Sequence, residues 1–240
     1  MENTHRKGFS WIHVLFALVL IIILMGIISP LILIKSKSSA RNEALNNAKG
    51  IAQGLIDFKN EYGAYPCAFT LEAIINDNRP LAEGVADKDS FRARDDANAY
   101  FAQLLMSGCI DSEAFFYAAG VRGSIKGDDY QGTAAKLLSK GENSFAYIMA
   151  SDKKPLSDTS SKTPLVMAPL KSIGKDGVPL FHDKIYTGYY VYGTADGSGL
   201  QSKISSTGLP LSKGRDHLFQ TGDNSLFGKD IPVVKAPLGF

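Results

Sequence analysis

From residue 11 to residue 34 the chain is almost wholly apolar; beyond that point apolar and polar positions alternate with a helical period. No charge falls in residues 14–34, a run of 21. At about 1.5 Å rise per residue, such a helix spans roughly 30 Å, the hydrocarbon thickness of a bilayer. The run therefore predicts a membrane-spanning helix. Downstream, Ala44, Leu45, Ala48, Ile51, Ala52, Leu55, Ile56 and Tyr62 recur at steps of three and four. Arg41, Glu43, Asn46, Lys49, Gln53, Asp57 and Asn60 fill the opposite side, which is the pattern of an amphipathic helix. The two patterns predict one continuous helix whose second half needs a cover. It stops at Tyr62-Gly63-Ala64-Tyr65-Pro66, where glycine supplies a left-handed cap and proline prevents resumption.

Residues 67–240 read as an α+β domain. Helices are predicted over 70–78 and 97–107, the second entered at Asp95-Asp96 and closed by Gly108. Shorter helices are predicted over 112–119 and 133–139. Strands are predicted over 144–150, 164–170 and 185–192, the last running into the glycine-rich turn 193–199. Segments 81–96 and 151–162 are charged or Ser/Lys/Asp-rich and read as surface loops. Tyr186, Tyr190 and Tyr192 share one face of the third strand and Tyr189 takes the other. Cross-strand packing is the favoured reading of these rings, a sticky interface the second.

Composition adds limits. With 45% apolar and 21% charged residues among 240, the chain has material for a core and is not a disordered polymer. A net charge of +2 with scattered lysines argues against nucleic acid as a partner. Two cysteines and four histidines, His5, His13, His182 and His217, show no metal-ligand spacing. There is no phosphate-binding glycine loop, zinc-protease helix or nucleophile elbow. The adjacent pairs His182-Asp183 and Asp216-His217 read as polar loop residues. No catalytic residue is assigned and the chain is not expected to be an enzyme.

Three readings compete for the first 35 residues: a secretory signal, a plain signal anchor, and a signal cleaved ahead of its apolar run. The apolar stretch is too long for the first. The third rests on Arg6-Lys7-Gly8-Phe9-Ser10-Trp11-Ile12-His13. This short basic leader, ending in glycine before phenylalanine and an apolar helix, resembles the N-terminal signal of type IV prepilins and type II secretion pseudopilins. Glycine lets an extended backbone enter a protease cleft, and basic residues hold the junction at the cytoplasmic face. Pro30, the twenty-second residue counted from Phe9, stands where many members of that family carry proline. With Gly26 it marks a soft, kink-prone point. The helix end at 58–66 also resembles that of pseudopilins. The likeness covers residues 1–66 and little of the remainder.

The resemblance implies a pilin-like α+β fold: a long N-terminal helix, membrane-spanning in its first half, packed on a C-terminal domain with short helices and an antiparallel sheet. It implies a leader over 1–8, a transmembrane helix over 9–34, an amphipathic continuation over 35–66 and an extracytoplasmic domain over 67–240. Cleavage would follow Gly8, with N-methylation of Phe9. The function implied is that of a structural subunit of a type II secretion pseudopilus or type IV pilus, held in the inner membrane before assembly. The prepilin peptidase, other pilin or pseudopilin subunits, an inner-membrane assembly platform and the lipid bilayer would be its partners. The alternative is a single-pass envelope protein whose outer domain is a binding module and which never polymerises. His13 stands where the family carries glutamate, a departure that points to a minor or tip-located subunit. An extracytoplasmic domain would permit a disulfide, and Cys67 with Cys109 is the expected pair. No cofactor is expected. Because some pseudopilins bind calcium near the C-terminus, Asp216, Asp223 and Asp230 are noted as calcium candidates, with ordinary turns the favoured reading.

Overall fold

The computed structural model describes residues 11–77, 94–129, 136–157, 159–213, 216–222, 225–229 and 231–239, with the side chains of 12, 13 and 26–34 outside the description. Helix α1, Trp11–Tyr62, runs 52 residues. It is followed by α2 (Ala68–Asn76), α3 (Ala97–Ser107) and a 3-10 turn, Glu113–Phe116. Seven strands follow among the described residues: β1 (Ala146–Met149), β2 (Pro164–Ala168), β3 (Leu170–Ile173), β4 (Pro179–Phe181), β5 (Tyr189–Thr194), β6 (Gly199–Lys203) and β7 (Val233–Lys235). A five-stranded antiparallel sheet has the order β6-β5-β2-β1-β7, and β3 pairs with β4 in a separate ribbon.

The sheet exists to cover one stripe of α1. Ala44, Ala48, Ile51, Ala52, Leu55 and Phe58 are fully buried, at the three- and four-residue steps that one helix face requires. Small residues let the backbones close in. A Cβ built on Gly193 of β5 would lie 2.3 Å from the Ala48 carbonyl oxygen, and one on Gly50 would lie 2.6 Å from the Phe115 ring. The helix is thus gripped by β5 on one side and by the 3-10 turn on another. Asn47 fastens the second grip, its Nδ2 donating to the carbonyls of Ala114 (3.3 Å) and Tyr117 (2.8 Å).

A membrane-spanning half is the part of the expectation that the structure overturns. Among the described residues, no helix is long and apolar enough to cross a membrane. The pilin-like fold class with its transmembrane helix over 9–34 is corrected to an α+β domain assembled on the C-terminal half of α1. The single-pass inner-membrane placement and the membrane and secretion descriptions are withdrawn with it.

Elsewhere, boundaries move for local reasons. The strand expected over 164–170 is divided at Pro169, which separates β2 from β3. The strand expected over 185–192 starts only at Tyr189 and continues through Thr194. Gly193 is therefore a strand residue paired with Gly199, and the turn is confined to the residues between them. The helix expected over 112–119 is only the 3-10 turn. Of the helix expected over 133–139, residues 133–135 lie outside the described residues and 136–139 are not α-helical; loop 81–96 lies outside them up to residue 93.

Candidate functional site

Two features stand apart from the packing of the domain. The first is the N-terminal part of α1. Trp11 is 74% exposed and Phe16 70%, and the consecutive residues Leu20, Ile21, Ile22 and Ile23 are all exposed by half or more. Four successive positions cover a full turn, so this part of the helix is bare on every side. Isolated exposed apolar side chains are unremarkable, but a contiguous apolar surface of this kind marks a place where something docks. Further along the same helix the apolar stripe is covered, fully from Ala44 to Phe58 at its centre and partly at Leu45, Ile56 and Tyr62. One rod thus carries a finished half and an unfinished one.

The residues singled out from the sequence fall in several places. Gly8 and Phe9 lie outside the described residues, as do the side chains of His13, Gly26 and Pro30, while the helical backbone of α1 is continuous through positions 26 and 30. The expected Cys67–Cys109 bond is not formed; both cysteines are free. Each thiol has a different neighbour. Cys67 is buried at the start of α2, where its Sγ accepts from Thr70 Oγ1 at 3.7 Å. Cys109 Sγ donates to Glu61 Oε2 at 3.7 Å, on the flank of α1. Burial pushes the Cys109 thiol up, and the charges of Glu61 and Asp57 add to this against a hydrogen bond from Ser107. Of the calcium candidates, Asp223 and Asp230 lie outside the described residues. Asp216 is exposed, and its backbone N–H donates to Gln220 Oε1 at 2.9 Å within an ordinary turn. The tyrosines are packing residues. Tyr186 and Tyr190 are fully buried, Tyr190 stacks on Tyr192 at 5.3 Å, and Arg41 of α1 lies over the Tyr189 ring at 4.6 Å. Because β5 begins at Tyr189, Tyr186 is not on its face.

The second feature was not visible in the sequence. Glu113, Asp128 and Glu142 each place a carboxylate oxygen within 4.8 Å of the others. Glu113 opens the 3-10 turn and is 1% exposed. Its Oε1 accepts from the Leu138 N–H at 2.8 Å, while Oε2 is buried with no hydrogen-bond partner. Asp129 anchors the adjoining loop, its Oδ1 accepting from Ser112 Oγ (2.9 Å) and the Glu113 N–H (2.7 Å). Gly127 makes that approach possible, since a Cβ there would lie 2.3 Å from the Glu113 Cβ. Glu142 accepts from the Ser139 N–H at 2.5 Å. Its carboxyl is held above the ordinary range, first by burial and then by the negative charges of Glu113 and Asp128, against the pull of the Ser139 N–H. The three acids come from separate segments with no fixed spacing, so no motif could have announced them.

Compared with family models, with curated proteins and with solved structures, the chain matches none.

Proposed function

We propose that this chain is a structural, non-catalytic subunit that polymerises into a pilus-like filament through the bare end of α1, with the domain on the outer surface of the filament. The observation that carries the reading is the division of one helix into a covered stripe and an exposed apolar segment. Burying apolar surface yields about 25 cal/mol per Å², and a second copy of the same segment supplies an uncharged apolar surface to match it. The resemblance of Gly8-Phe9 and its surroundings to a prepilin junction supports the same reading, with a prepilin peptidase and other subunits of the filament as partners. Within it, His13 favours a minor or tip position. A neutral imidazole adds no charge opposite the N-terminal amine of a neighbour, and a protonated one repels it.

The test is self-association of the full chain, followed by sedimentation and electron microscopy. Leu18→Lys together with Ile22→Lys places charge on the exposed segment without touching the domain. Assembly is expected for the unaltered chain and is expected to be lost in the variant, with the unfolding temperature of the domain unchanged. A full chain that stays monomeric, or a variant that assembles as well as the parent, overturns the proposal. Intact-mass analysis of the protein from its native source should show loss of residues 1–8, and His13→Glu should raise its amount in sheared filaments.

A further inference from the structure

We propose that Glu113, Asp128 and Glu142 form a calcium site that ties the 3-10 turn Glu113–Phe116 to the two loops carrying Asp128 and Glu142. This inference stands apart from the polymerisation reading. Three carboxylate oxygens within 4.8 Å of one another fit a single ion, since two oxygens on one calcium lie at most about 5.2 Å apart. Proximity of acids is not by itself a site. The independent observation is Glu113, a residue 1% exposed whose Oε2 is buried without any hydrogen-bond donor. A buried carboxylate oxygen in that condition costs free energy unless a proton or a cation occupies it.

The chemistry of the surroundings selects the cation. The donors are all carboxylate oxygens, which suit hard ions such as calcium, magnesium or manganese rather than zinc or copper. They come from three irregular segments, and Asp128 is exposed, so water can complete the shell. Calcium accepts such uneven sets of six to eight oxygens, whereas magnesium demands near-ideal octahedral geometry at shorter distance. Three carboxylates facing one another also repel, and a divalent ion reverses the sign of that interaction. The gain would reach α1, because Phe115 of the same turn packs on Gly50 and Asn47 donates to the turn's carbonyls.

The experiment is titration of the chelator-stripped full chain with calcium chloride, read by calorimetry and by thermal unfolding. One calcium per chain is expected, with a rise in unfolding temperature that magnesium at the same concentration does not reproduce. Asp128→Asn and Glu142→Gln should each weaken calcium binding at least tenfold while the calcium-free proteins remain folded. Glu113→Gln is the more drastic change, and the two outer positions keep the test sound if that variant does not fold. Absence of binding heat and of a thermal shift in the full chain overturns the site, as does a calcium-dependent shift that survives at full size in either outer variant.

Discussion

Single side chains decide how several segments meet. Asn98, fully buried in α3, donates through Nδ2 to the Leu138 carbonyl at 2.7 Å, while its Oδ1 accepts from Asn143 Nδ2 (3.0 Å) and the Leu238 N–H (2.9 Å). Replacing it with leucine strands these partners, each at a cost of roughly 1–3 kcal/mol. Asn98→Leu should therefore lower stability by about 3 kcal/mol or more in urea unfolding. A loss below 1 kcal/mol would mean that the junction is wetter than its geometry indicates. Asp196 works differently, from an exposed turn between β5 and β6. Its Oδ1 accepts from Thr194 Oγ1 (2.6 Å) and the Ser198 N–H (3.0 Å). The Thr194 hydrogen bond, followed by those from Ser198, holds the carboxyl below its ordinary value. A depressed carboxyl contributes stability above its unfolded pKa, about 3.9, and loses it as pH falls through the lower folded value. The stability gap between the parent and Asp196→Ala should thus be constant near neutrality and narrow below about pH 4. A gap that widens on acidification would contradict this.

Among the elements, helix α3 is the one whose ends the sequence marks most openly. Asp96 caps it by accepting from the Ala99 N–H at 3.0 Å, and Gly108 closes it with φ 79°. Asp96→Ala should cost about 1 kcal/mol of stability, measured by thermal unfolding. The amphipathic stripe of α1 was equally legible, because a helix covered on one face repeats its apolar residues every three or four positions. Strands β1, β2 and β5 were legible as apolar runs, but their limits were not, and β4, β6 and β7 were not read from the sequence at all. Those limits depend on which neighbour pairs with which, and pairing is non-local. Gly193 shows the reason. In the sequence it belongs to a turn by composition, yet in space it is the strand position that faces Ala48. Gly193→Ala should place a Cβ against that carbonyl and cost about 1–3 kcal/mol, far more than a turn glycine with open space around it. The three acids at 113, 128 and 142 were illegible for the same reason, since only loop closure brings them together. The apolar run before residue 35 misled in another way. Its length suggested a bilayer, whereas no described helix is long and apolar enough to cross one.

For the molecule as a whole, the division of α1 predicts two separable behaviours. The domain is held by contacts that begin at Ala40 and Ala44, so deletion of residues 1–34 should leave its cooperative unfolding unchanged. The shortened chain should be monomeric, and residual assembly would place the interface on the domain instead. The far end of the chain is less dispensable. β7 pairs with β1, and Lys235 reaches Asp95 at 2.6 Å and Asp152 at 3.4 Å, so a late segment locks an early one.

The close seating of Gly193 on Ala48 also bears on how the protein comes into being. A chain made from its N-terminus exposes Ala48 about 145 residues before Gly193 exists. At 5–20 residues per second, the stripe of α1 waits roughly 7–30 s for its cover. During that interval both halves of the helix are sticky, and nascent neighbours on one message could join stripe to stripe. Successful production therefore favours slow initiation or a chaperone that holds the emerging helix, and refolding from denaturant should give yields that fall steeply as protein concentration rises.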